Sequence, residues 1–114
     1  MPFPSRVPPV AIYEGDDTDW PVYTFSEAGV PLDLSTYTWA AQWRTSPDAT
    51  ESVTLTLDLT EQAVGKIGVS ANASQTATMV ATNGVWDLQS TKAGIVRTWI
   101  YGATTSTKDV TRLG

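Results

Sequence analysis

The sequence predicts an all-β fold, a sandwich of about seven or eight antiparallel strands with one short helical crossing and an extended N-terminal arm. Two observations carry this. Apolar and polar residues alternate: Tyr37, Trp39, Ala41 and Trp43 share one face of segment 37–44, and Val53, Leu55, Leu57 and Leu59 share one face of 52–59 against Ser52, Thr54, Thr56 and Asp58. A strand turns successive side chains to opposite faces, so these segments read as half-buried strands. Short strands also recur every 8 to 15 residues or so between Gly and Pro turns, as in a sandwich and unlike a βαβ alternation.

Taken in order, residues 1–9 carry four of the seven prolines. Proline fixes φ and removes the backbone donor, so this segment is an arm separate from the sandwich domain of 10–114, and neither helix nor central strand. Val10-Ala-Ile-Tyr13 and Trp20-Pro-Val-Tyr-Thr-Phe25 read as two strands joined by the turn Glu14-Gly-Asp-Asp-Thr-Asp19, with Pro21 marking an edge or a strand start. Glu27-Ala-Gly-Val-Pro31 is a turn leading through Leu32-Asp-Leu-Ser35 into the Tyr37 strand. Thr45-Ser-Pro-Asp-Ala-Thr50 turns into the Leu55 strand, and Gly65 to Ser70 is a short strand with Ile67 and Val69 inward.

From Ser70 to Ala81 the alternation stops. Ser70 serves as a helix N-cap, and Ala73, Ala77 and Val80 recur at helical spacing, so one short helix crosses between sheets until Asn83-Gly84. Val85 to Ser90 offers Trp86 and Leu88 to the core. Thr91-Lys-Ala-Gly94 is a hairpin connection to an antiparallel strand, Ile95 to Tyr101, and the last strand spans Thr107 to Arg112. The tryptophans dominate burial, at roughly 150 to 250 Å² each.

Composition removes several functions. A formal charge of −5 arises from twelve scattered acids, without the basic stripe that phosphates require, so nucleic acid is not an expected partner. No apolar run nears the roughly 20 residues of a bilayer span, and the first residues lack the apolar core of a signal peptide, so neither a membrane nor Sec export is expected. Without cysteine there are no disulfides, thiolate nucleophiles or zinc-thiolate sites. Without histidine there is no imidazole base, triad or imidazole metal site. No catalytic residues, cofactor or metal are expected, and an enzyme here would have to run on carboxylates, lysine or tyrosine.

Glu14, Asp16, Asp17 and Asp19 place four carboxylates within six residues, a composition that suits calcium, although the spacing is not that of an EF-hand loop. A solvated turn whose Asp side chains cap backbone donors is the simpler explanation, and no metal is expected there. A carboxylate pair for glycoside hydrolysis would need a cleft that so short a turn does not offer. The strand Ile95 to Tyr101 carries bulk on both faces, with Arg97, Trp99 and Tyr101 on one and Val96, Thr98 and Ile100 on the other. Only one face meets the core, and Trp, Tyr and Arg are enriched at interface hot spots. The expected partner interface is therefore Phe3, Pro4 and Val7 of the arm with Arg97, Trp99 and Tyr101, unless the chain's own arm or a loop covers that strand.

The order Gly15-Asp16, an aromatic strand, Gly29-Val-Pro-Leu-Asp-Leu34, Gln42-Trp-Arg44, Gly65-Lys-Ile-Gly-Val69, Val85-Trp-Asp-Leu88, Val96-Arg-Thr98 and Asp109-Val-Thr-Arg112 resembles small sandwich domains of tailed bacteriophages, the N-terminal domain of baseplate upper proteins and related tail or fibre-associated proteins. The resemblance runs over residues 14–112. It implies an immunoglobulin-like fold and a virion structural part, made in the host cytoplasm, that holds other phage structural proteins in an oligomer or larger assembly. A capsid decoration protein and a carbohydrate-binding module are the alternatives. A planar row of exposed aromatics would mark the latter.

Overall fold

The computed structural model describes residues 4–79 and 83–108. In chain order its strands are β1 (Ser5–Arg6), β2 (Val10–Glu14), β3 (Thr18–Asp19), β4 (Tyr23–Thr24), β5 (Ser26–Glu27), β6 (Val30–Pro31), β7 (Thr38–Arg44), β8 (Val53–Thr54), β9 (Thr56–Asp58), β10 (Lys66–Ala71), β11 (Asn83–Lys92) and β12 (Ile95–Lys108), with one short helix, α1 (Ala73–Thr76). The chain is an all-β sandwich. One sheet runs β1-β12-β11-β7-β8 with β2 also on β12; the other sets β10 between β9 and the interrupted edge β3/β4.

The 14-residue β12 is the spine of the larger sheet. One side pairs antiparallel with β11, and the other takes the N-terminal arm in parallel: Ser5 and Arg6 opposite Ile100 and Tyr101, then Val10 to Glu14 opposite Thr104 to Lys108. Between them Val7 donates its N–H to Tyr101 O at 2.9 Å and lies over Gly102, where an added Cβ would come within 3.1 Å of Val7 Cγ2. The arm's prolines therefore flank a short stretch of pairing, where their missing donors cost little.

Two irregularities bring the sheets together. Val53 and Thr54 pair with β7, Leu55 N–H bonds Ala41 O at 2.9 Å, and the next residues pair with β10, so the segment expected as one strand changes sheets at Leu55. On the opposite edge, Trp20 N–H bonds Val69 O and Phe25 N–H bonds Gly65 O, while Pro21, with no N–H to give, breaks the strand between them.

The core between the sheets contains all five tryptophans, each at most 7 % exposed. Trp39, Trp99, Phe25 and Tyr37 form one ring cluster, with Trp39 and Trp99 centroids 5.0 Å apart; Trp20, Tyr23 and Trp86 form another. Ile67, Val69, Trp86 and Leu88 point inward, as the alternation requires.

Three expectations are corrected. The helix N-cap is Asn72, not Ser70: its side chain accepts from Gln75 N–H while the Gln75 side chain accepts from Asn72 N–H, a reciprocal capping box. Ser70 is still in β10, opposite Asp19, and Val80 lies outside the described residues. The terminal strand is not separate, because β12 continues through Gly102 to Lys108; residues 109–112 lie outside the described residues. Finally, the strand after the hairpin does not alternate throughout. Its register passes from Leu88 opposite Ile100 to Gln89 opposite Thr98, leaving Trp99 as the extra residue of a bulge. A bulge shifts the alternation by one, so Trp99 and Ile100 both turn inward.

Candidate functional site

That bulge divides the expected interface set. Trp99 is 3 % exposed and lies in the ring cluster, so it presents nothing on the outer face of the sheet. Arg97 stays on its side of the strand but at the rim of the sandwich, whereas Tyr101, beyond the bulge, stands on the outer sheet face at 41 % exposure. In the arm, Val7 packs partly buried against the chain's own core, Pro4 is exposed, and Phe3 lies outside the described residues. The five of these residues that are described therefore do not form one surface.

The structure brings together a different set. Two hairpins with the same turn, Ala28-Gly29 between β5 and β6 and Ala93-Gly94 between β11 and β12, have both turn residues at positive φ. This is the primed geometry that follows the twist of paired strands. Between the hairpins lies a groove of about 450 Å³, lined by Leu32, Tyr37, Ile95 and Trp99 with Glu27, Lys92, Arg97 and Ser90. Ser90 is buried and accepts the Trp99 indole N–H at 2.7 Å, so its own hydroxyl hydrogen is the one it can give. Lys92 Nζ sits 5.1 Å from the Tyr37 ring centroid and 3.5 Å from Thr36 Oγ1. The floor is aromatic and the rim carries charge.

The acidic turn serves the fold at the other end of the molecule. Asp17 Oδ1 accepts the Ala73 N–H at 2.7 Å, relieving a free donor at the start of α1. Thr76, fully buried, donates to Asp16 O at 2.7 Å and accepts from Gly15 N–H at 3.1 Å. Among the described residues no three acids converge as cation ligands.

The outer face of the larger sheet is mostly polar. Arg6, Tyr101, Asp87, Gln42 and Thr54 lie side by side across the strands, flanked by the small residues Ala40 and Thr98. Burial pushes the Asp87 carboxyl above its ordinary value, opposed by the bond from Gln89 and the nearby Arg44 charge. Arg44 is itself held by Ala49 O at 2.6 Å and Gln42 Oε1 at 3.1 Å. The exposed aromatics here are Tyr101 and Tyr13; Tyr13 pairs with Thr107, six positions along β12, which separates the two rings by roughly 20 Å. With every tryptophan buried, no row of exposed rings is available among the described residues to stack on sugars.

The other perturbed groups lie apart. Burial raises Tyr23, while turn bonds from Ser35 and Thr60 lower Asp33 and Asp58. Neither protein-family models nor curated proteins give any match to the sequence.

Proposed function

We propose that this chain is a non-enzymatic structural part of a phage particle that docks other virion proteins in the tail tip, baseplate or fibre-attachment region. The resemblance of its strand and turn order to tail and baseplate sandwich domains supplies the particle. The observation that carries the docking role is the division of the surface: all the tryptophans are consumed by the core, and what faces outward is a polar sheet face and a charged groove between two hairpins. Because Ser5 to Val7 is bonded to β12 of its own chain, docking belongs to the sheet face and the ends of the sandwich more than to the arm. The buried tryptophans leave the carbohydrate-binding alternative without a platform.

The test is to purify tailed particles on a density gradient, quantify the chain by mass spectrometry across the fractions, and label it with an antibody under negative stain. The proposal expects a constant ratio to the other virion proteins and label at the tail end. A chain absent from intact particles sinks it, and label over the head replaces it with capsid decoration.

A further inference from the structure

The groove and the acidic turn lie at opposite ends of the molecule. Ile95, which lines the groove, begins β12; Lys108, which ends it, stands opposite Glu14 at the start of the acidic turn. Thirteen strand steps at about 3.3 Å separate these ends by roughly 43 Å, close to the full 47 Å length of the molecule.

Charge is distributed unevenly along this axis. Glu14, Asp16, Asp17 and Asp19 lie at the far end, as do Asp48 and Glu51 in the loop that follows Arg44. The connections between these segments are direct: Asp17 holds Ala73, and Gln75 Nε2 donates to Thr54 O at 2.6 Å, beside that loop. Among the described residues, six of the chain's twelve acids thus lie toward that end, with Arg44 beside them. At the groove two of the seven cations, Lys92 and Arg97, face a single acid, Glu27.

The two ends also match in apolar character. Beside the acidic turn, Tyr13 is 53 % exposed; the groove has Leu32 and Ile95 on its walls, and Ile95 and the neighbouring Val30 are more than 60 % exposed. The turn itself is a compact projection, closed by Asp16 N–H on Tyr13 O at 3.0 Å, and so needs little ordering to enter a groove.

We propose that copies of this chain associate head to tail, the acidic turn of one copy with its Tyr13 seating in the Lys92–Arg97 groove of the next. The inference rests on the docking reading above and names a second copy as one partner. Different patches meet, so the contact is heterologous and repeats into a ring or an open filament. Its attraction is between partly exposed charges and so depends on salt.

The experiment is sedimentation velocity of the intact chain over a concentration series, at about 0.01 M and about 1 M salt, where the screening length falls from about 30 Å to about 3 Å. Mass should rise with concentration at low salt, with association at least about tenfold weaker at high salt. Lys92→Glu with Arg97→Glu, and separately Glu14→Lys with Asp19→Lys, should each leave a folded monomer, because the first sets acid against acid and the second cancels the charge of the turn. An equimolar mixture of the two should associate again, since the unaltered turn of the first variant then meets the unaltered groove of the second; circular dichroism and the melting temperature confirm that both variants fold. A wild-type chain that stays monomeric at low salt, reversals that associate like wild type, or a mixture of folded variants that does not recombine each overturns the proposal. A monomer that still co-purifies with particles loses this contact and keeps the docking role.

Discussion

Replacing Gly84 by alanine should destabilise the chain, although the local backbone argues the reverse. Gly84 lies in β11 without positive φ, and glycine to alanine at such a position ordinarily gains about 0.4 to 1 kcal/mol by restricting the unfolded chain. Here the new Cβ would run into the Trp43 ring, overlapping Nε1 and lying 2.6 Å from Cε2 and 2.7 Å from Cζ2. The ring cannot yield cheaply: it is 3 % exposed and its N–H is held by Thr104 Oγ1 at 2.7 Å, across the strand that β11 pairs with. Overpacking costs about 1 to 3 kcal/mol. Breaking the bond and stranding a buried donor costs about 1 to 3 kcal/mol. Set against the unfolded-state gain, the net loss is about 1 to 5 kcal/mol, a fall in melting temperature of roughly 4 to 20 °C for a domain of this size. Urea and thermal unfolding, followed by tryptophan fluorescence and circular dichroism, read it directly. A variant that unfolds at or above the wild-type midpoint would refute the placement of Trp43 over Gly84.

Other consequences follow from the same core and turns. Ala93 has φ 52°, a conformation that costs an ordinary L-residue about 1 kcal/mol and that asparagine tolerates, so Ala93→Asn should raise stability by about 0.5 to 1 kcal/mol in chemical denaturation; a loss would contradict the turn geometry. Trp43 has an indole partner, whereas Trp20 Nε1 is buried with none among the described residues, so Trp43→Phe should cost about 1 kcal/mol more than Trp20→Phe, measured side by side in urea. The Asp87 carboxyl is raised by burial, so the folded state holds its proton more tightly than the unfolded chain. Its ionised form therefore lowers stability above the folded value, and the penalty fades as pH falls through that value toward the ordinary one. Asp87→Asn should accordingly raise the melting temperature at neutral pH and lose that advantage in acid; an advantage that grows in acid would contradict the burial argument.

Much of the fold was legible because burial on one sheet face leaves a period of two: Trp39, Ala41 and Trp43, and Trp86 and Leu88, are inward as their spacing requires. What escaped is non-local or breaks the period. The bulge at Trp99 leaves bulky residues on both faces of one strand, the pattern that a surface patch would also leave, and only the register against β11 separates the two. Alternation also survives the change of sheet at Leu55, since its side chain stays inward while the backbone partner changes. Gly102 reads as a break until Val7, about a hundred positions earlier, is found to need the space above it. The sequence signal places the helix cap two residues early because Ser70 and Asn72 are both capping types, and only the pairing of Ser70 with Asp19 decides between them. Of the groove, Arg97 was singled out through its strand, but Glu27, Tyr37 and Lys92 carry no signal of their own. Two hairpins far apart in sequence bring them together.

The most direct test of the account is the light-scattering mass of the full chain and of a chain starting at Val10, each at low and high salt, with melting curves alongside. If the arm belongs to its own sheet and docking runs through the ends, both chains associate alike at low salt and fall to monomers at high salt. The shorter chain then melts lower, through loss of about 1 to 3 kcal/mol of β1 pairing and Val7 burial. Removal of the arm abolishing association while leaving stability unchanged would contradict the account, because the arm would then be working on a neighbour.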